Sequence, residues 1–231
     1  MKIEVISCWY RETFFPSLFY QHYSWVDKIT LITEVFPTGM DDWKKMEVIN
    51  AAYKKSDADW VLILDSDEFV YPAPYGSSSR EAIESANAAG AEIITCVMHN
   101  VWRHVSDIDV DHSKPPVPQR IHGDPDLVTG NNKNYTKPCV LKTRLPVTIG
   151  IGCHNIHEHG YNLHYSAVKW AGSHWACADP SFCIDRRRND RQARLSERNR
   201  QAGAGIHVDF TKEQLLQHCR DHENNPIVIR C

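Results

Sequence analysis

No stretch of this chain approaches the roughly 18 consecutive apolar residues that a membrane-spanning helix needs. None of its eight cysteines forms a C-x-x-C pair, and no H-E-x-x-H occurs, so the commonest zinc spacings are missing. No glycine-rich loop carrying Arg or Lys lies near residues 8–16, and no internal repeat is present. An excess of charge of one sign is also lacking. A net charge of −3 does not advertise a polyanionic partner. With 42% hydrophobic and 24% charged residues the composition excludes disorder and fits an ordinary globular protein. Glu4 and Arg11 interrupt any signal-peptide core, so a soluble, cytoplasmic protein is expected. The cysteines are expected to be reduced, with Cys177 and Cys183 the best-spaced pair across the Asp179-Pro180 turn.

What is present is concentrated at residues 60–70, W-V-L-I-L-D-S-D-E-F-V. An apolar run bounded by polar residues predicts a strand buried on both faces. It ends in Asp65-Ser66-Asp67-Glu68, at the strand end where open α/β sheets bind ligands. Two carboxylates at i and i+2 can reach one hard divalent cation if the chain turns there.

Upstream, residues 2–8 and 28–33 read as strands, with a helix pattern over 14–25 between them. Asp41 caps a helix to about Lys55, with Trp43, Met46, Ile49 and Tyr53 on one face. This β-α-β-α-β order predicts a mainly parallel sheet with right-handed crossovers, flanked by helices. A short helix over 80–89 ends at Gly90, and a strand follows over 91–98. Residues 106–137 are rich in Pro, Gly and Asn and read as a long functional loop. Later strands are expected at 140–145 and 147–151, and Thr211-Lys212-Glu213-Gln214 is a capping box opening a last helix to about Cys219. No linker splits the chain into separate domains.

Taken in order, these residues resemble a known family. The chain is similar to GT-A-type glycosyltransferases, in the family-2-like group whose metal motif reads D-x-D-E. Asp65-Ser66-Asp67-Glu68-Phe69 carries that motif. Arg11-Glu12 follows the first strand, and residues 18–27 resemble the helix and the entry into the second strand. Lys45 and Asn50 precede Asp59-Trp60-Val61, and Gly152-Cys153-His154 and Leu163-His164-Tyr165 resemble the two histidine positions, with Lys169 close behind. The departures are Tyr10-Arg11-Glu12 for Arg-Asn-Glu and residues 34–41 for an Asp-rich segment.

The resemblance implies a Rossmann-type nucleotide-diphospho-sugar transferase fold in one domain. Residues 1–100 would bind the nucleotide-sugar and 101–231 the acceptor. It implies a UDP- or GDP-sugar donor, Mn²⁺ or Mg²⁺, transfer with inversion, and an acceptor that is a glycan, a protein or a modified nucleic acid. Arg11, Glu12, Glu34, Lys45, Asn50 and Asp65 are the expected donor contacts. Asp65, Asp67 and His164, with His154 second, are the expected metal ligands. Glu68 is expected to orient a ligand or face the acceptor. An inverting enzyme needs a base at the acceptor hydroxyl; Glu158, Asp124 and Asp126 are the candidates. The alternatives are a nucleotidyltransferase, which the missing glycine-rich loop opposes, and a non-catalytic sugar- or nucleic-acid-binding protein.

Two clusters remain open on the residues alone. His157 and His159 read as surface residues beside His154 and His164. Seven arginines in 185–201 read equally as phosphate contacts or as a solvated helix face. Trp170 and Trp175 read as sugar-site or core residues.

Overall fold

The computed structural model describes residues 1–10, 12–33, 39, 41–125, 136–186, 195–202 and 211–223. Its strands are β1 (Ile3–Cys8), β2 (Lys28–Ile32), β3 (Trp60–Ile63), β4 (Glu68–Tyr71), β5 (Ile93–Trp102), β6 (Gly123–Pro125), β7 (Thr136–Lys142), β8 (Val147–Ile149), β9 (Ile156–Glu158) and β10 (Trp170–Cys177). Its helices are α1 (Pro16–His22), α2 (Asp42–Lys55), α3 (Ser79–Ala88), α4 (Pro180–Asp185), α5 (Glu197–Gln201) and α6 (Lys212–His222).

Seven strands form one sheet in the order β2-β1-β3-β7-β5-β10-β4, and β6 pairs with β5 beside that path. The pairs β1–β2, β1–β3 and β5–β10 are parallel. Strands β7, β6 and β4 run against their neighbours. The fold is therefore α/β, with most strands sharing one direction and helices on both faces. Strands β7 and β10, from the second half of the chain, lie among strands of the first half. The two-stranded β8–β9 hairpin is separate.

The strand periodicity explains the two-sided burial. Ile3, Val5, Trp60 and Leu62 pack into one core with Leu18 and Phe19 of α1 and Ile83 of α3. Their neighbours Ile6, Val61 and Ile63 turn to the other face, against Met46, Ile49 and Tyr53 of α2. A period of two sends alternate side chains to opposite faces, so both faces must be apolar. The helix signals hold as expected. Asp41 accepts from the Lys44 N–H, and Thr211 and Gln214 form the reciprocal capping box. Gly90, at φ +80°, follows α3 in a conformation that glycine adopts without penalty. Trp170 and Trp175 are core residues, 2% and 0% exposed.

The chain departs from the expected outline in three places. Glu68–Tyr71, for which no element was expected, forms a strand of its own, antiparallel to β10. Phe69 and Val70 are drawn to that sheet edge by tertiary pairing, which local periodicity does not register. The loop expected over 106–137 holds a 3₁₀ turn at Val117–Gln119 and strand β6, and β7 begins within it at Thr136. Strand β10 was not anticipated, because its small residues Ala171, Gly172 and Ser173 carry little strand propensity. A Cβ on Gly172 would meet Met98 Sδ at 2.2 Å, so a larger residue there would force the Met98 side chain to move.

Candidate functional site

Strand β1 lies between β2 and β3, with α1 packed on one face and α2 on the other. The order of strands therefore reverses at β1, and in open α/β sheets ligands bind beyond the C-terminal ends of the strands at such a point. Ser7 and Trp9 tie these ends together: Ser7 Oγ donates to the Leu64 carbonyl and Trp9 Nε1 donates to Ser7 Oγ, both at 2.7 Å. The turn 65–68 follows directly.

Each carboxylate of that turn meets a cation from elsewhere in the chain. Lys45 Nζ, from the first turn of α2, lies 2.5 Å from Asp65 Oδ1. Lys137 Nζ, from β7, lies 2.5 Å from Glu68 Oε2. Arg186 Nη1, just past α4, lies 2.5 Å from Asp67 Oδ2. Glu12 joins the group: its Oε2 accepts from Ser66 Oγ at 3.0 Å and lies 3.5 Å from Arg186 Nη2. Its Oε1 accepts from the Thr13 and Phe14 N–H groups at 3.1 Å, fixing the entry to α1. Glu68 also accepts from the Asp65 N–H at 2.8 Å, which closes the turn.

Burial sets the electrostatics. Asp67 is 1% exposed and Lys137 0%. Burial alone would depress the Lys45 and Lys137 ammonium groups, but Asp65 and Glu68 beside them hold both above their usual range. Burial would likewise raise the Asp65 carboxyl, yet Lys45 and Lys137 hold it well below the usual carboxylate range. Burial opposes the Arg186 charge, and Asp67 and Glu12 more than offset it. Cys153 lies against these groups, 3% exposed, and burial pushes its thiol up to about 12.

A second set of residues extends from the turn across the sheet. His174 on β10 pairs in register with Glu68 on one side and with Asn100 of β5 on the other, and Asn100 pairs with Asp124 of β6. His174 Nε2 lies 3.6 Å from Asp67 Oδ2, and its Nδ1 is 2.9 Å from Asn100 Oδ1. One row across four strands thus runs from the carboxylate turn to Asp124.

The expected metal shell does not fit this arrangement. Asp65, Asp67 and Glu68 each already hold a protein cation. No group of three or more His, Cys, Asp or Glu residues placed to share a metal ion occurs among the described residues. His164 is at the other end of β5. Its carbonyl accepts from the Glu92 and Ile93 N–H groups, whereas the His174 contact is at Asn100. Seven residues of strand separate those positions, about 23 Å. His164 instead lines a cavity of 590 Å³ with Ala86, Ala89, Leu163, Tyr165 and Trp170. His154 is exposed just past a 3₁₀ turn, and Cys153 is the residue that packs inward. The histidine at the carboxylates is His174, which sequence reasoning passed over, as it did Lys137 and Asn100.

Other expected residues divide cleanly. Asn50 is engaged elsewhere: it exchanges hydrogen bonds with the Ile149 N–H and carbonyl, at 2.9 and 3.0 Å, and pins β8 to α2. Glu158 is exposed on β9, with Tyr165 Oη donating to it at 3.4 Å. Lys45, Glu12 and Asp65 do come together. Arg11, Glu34 and Asp126 lie outside the described residues, as do the side chains of Asp124 and Cys177. Of the arginine run, Arg186 is inserted into the acidic turn, and Arg198 lies 4.6 Å over the Trp43 ring.

No family model and no curated protein matches the chain. Among solved structures it is similar to residues 1–349 of S. aureus TarS, at 12% identity over 97% of this chain and 71% of that one, with a TM-score of 0.40. The same protein in complex with UDP matches at 11% identity over 96% and 70%, with a TM-score of 0.38. A197 from STIV matches at 10% identity over 45% and 53%, with a TM-score of 0.30. Similarities at these scores decide neither family nor substrate. No helix among the described residues is long and apolar enough to cross a membrane.

Proposed function

We propose that the protein is a glycosyltransferase taking its sugar from a UDP- or GDP-sugar. One observation carries this reading: a cluster of four carboxylates, Glu12, Asp65, Asp67 and Glu68, and three cations, Lys45, Lys137 and Arg186, sits beyond β1 and β3, where the strand order reverses. The resemblance of residues 65–69 to the family motif supports it. Glycosyl transfer expels a nucleoside diphosphate, whose oxygens gain negative charge as the bond to the anomeric carbon breaks. Fixed cations aimed at those oxygens stabilise that charge without reorganising.

Transfer proceeds with inversion in this reading, and the acceptor hydroxyl attacks the face opposite the diphosphate. A carboxylate takes its proton. Of the three candidates Asp124 is favoured: its backbone pairs in register with Asn100, whose Oδ1 is 2.9 Å from His174 Nδ1. Exposed Glu158 has no such connection. The test is thermal melting with UDP and GDP. A ligand that binds only the native state raises the melting temperature with its logarithmic concentration, and no shift at about 5 mM of any nucleoside diphosphate overturns the assignment.

A further inference from the structure

We propose that Arg186 is the resident cation of the carboxylate turn and holds the donor's diphosphate where the sequence pattern leads one to expect a divalent ion. This rests on the nucleotide-sugar reading above. Its ground is the disagreement between a metal motif in the sequence and the packing of the same residues.

Asp67 is the carboxylate best placed to be a direct ligand, yet it is 1% exposed and its Oδ2 is 2.5 Å from Arg186 Nη1. A carboxylate this deep must be paired, and the guanidinium meets that requirement fully. The contact is built from several sides. Glu12 Oε2 lies 3.5 Å from Nη2. Phe15 and Phe182 each place a ring 5.6 Å from the guanidinium carbon, and Phe14 stacks on Phe182 at 4.3 Å.

A divalent ion bound to Asp67 and Asp65 would have to displace Arg186 and Lys45 or stand beside them as a like charge. Either makes it a poor competitor for oxygens already engaged. The guanidinium has five N–H donors, and its contacts to Asp67 and Glu12 use one edge. Its side chain is 14% exposed. Arginine binds phosphate oxygens through paired N–H groups, which is the recognition a diphosphate offers.

The experiment measures binding of inorganic pyrophosphate and of UDP by titration calorimetry, once in EDTA and once in Mn²⁺. It compares the wild type with Arg186→Lys and with the doubly neutral Asp67→Asn/Arg186→Gln, which keeps shape and removes both charges of the closest pair. Melting curves confirm that each variant folds. The expected result is wild-type binding in EDTA, changed less than about threefold by Mn²⁺. The double variant then binds at least about tenfold more weakly in EDTA, as loss of one charge-assisted hydrogen bond requires, with Arg186→Lys between. Wild-type binding that needs Mn²⁺, or a double variant that binds like the wild type in EDTA, overturns the proposal. If pyrophosphate binds through Arg186 and UDP binds no tighter, the nucleotide-sugar reading falls and the Arg186 anion site stands. If neither probe binds the wild type in either condition, both fall.

Discussion

At residues 65–68 three carboxylates, with side chains 30% exposed or less, each lie 2.5 Å from a cation supplied by a distant element. At residues 154–164 four histidines and Glu158 stand exposed, bonded to near neighbours such as Thr148 Oγ1, 2.8 Å from His159 Nε2. Both stretches carry residues that bind metals, and only the first is assembled. Exposed polar groups are satisfied by water wherever they lie. Buried charges exist only where the fold brings a partner, so each one reports a tertiary contact. Density of histidine in a sequence is therefore a weaker guide to a site than one carboxylate at the end of a buried strand.

The largest expected effect tests the buried side of that contrast. Lys137→Met leaves Glu68 without its cation in a site 0% exposed on the lysine side, and should cost about 3–5 kcal/mol in urea unfolding. Adding Glu68→Leu should recover part of the loss. No recovery would mean that Glu68 is held by the Asp65 N–H and not by the ion pair. Asp67→Ala exposes Arg186 to the same penalty, so its melting temperature should fall along with nucleotide binding. A variant with unchanged melting would show that Arg186 leaves Asp67 in solution.

A third test uses a half-buried histidine that packs against Tyr23 and Phe69. His22, within hydrogen-bond reach of the Val70 carbonyl at 3.0 Å, is pushed down to about 4 by burial. Its folded value lies below its unfolded one, so its contribution is present above about pH 6.5 and is lost as pH falls toward 4. Stability should decline by about 2–3 kcal/mol across that window, and His22→Gln should flatten the decline. Asp65, held low by Lys45 and Lys137, adds a further acid loss that begins only below about pH 4. The smallest effect belongs to the exposed segment. His157→Ala, His159→Ala and His164→Ala should each stay within about 0.5 kcal/mol of the parent and leave diphosphate binding unchanged. A binding defect in His164→Ala alone would return that residue to the site.

The parts of the fold legible in the sequence were those set by neighbours along the chain. Strands β1 to β3 followed from apolar runs, α2 from the Asp41 cap and its buried face, and α6 from the Thr211 capping box. The placement of Asp65 and Asp67 at the end of a buried strand was legible for the same reason. Lys45, Glu12 and Asp65, expected as donor contacts, lie together because the β-α-β-α-β order puts the start of α2 and the ends of β1 and β3 at one edge of the sheet.

What tertiary structure decided was the company those carboxylates keep. Glu68 meets Lys137 across 69 residues and Asp67 meets Arg186 across 119. Nothing in a local pattern distinguishes Arg186 from the arginines around it, or His174 from the four histidines clustered before it. The sequence alone determined that an acidic turn ends a buried parallel strand. Only packing decided that each acid there faces a cation of the chain's own, because the identity of a buried ion's partner depends on which distant strands and helices the sheet order brings beside it.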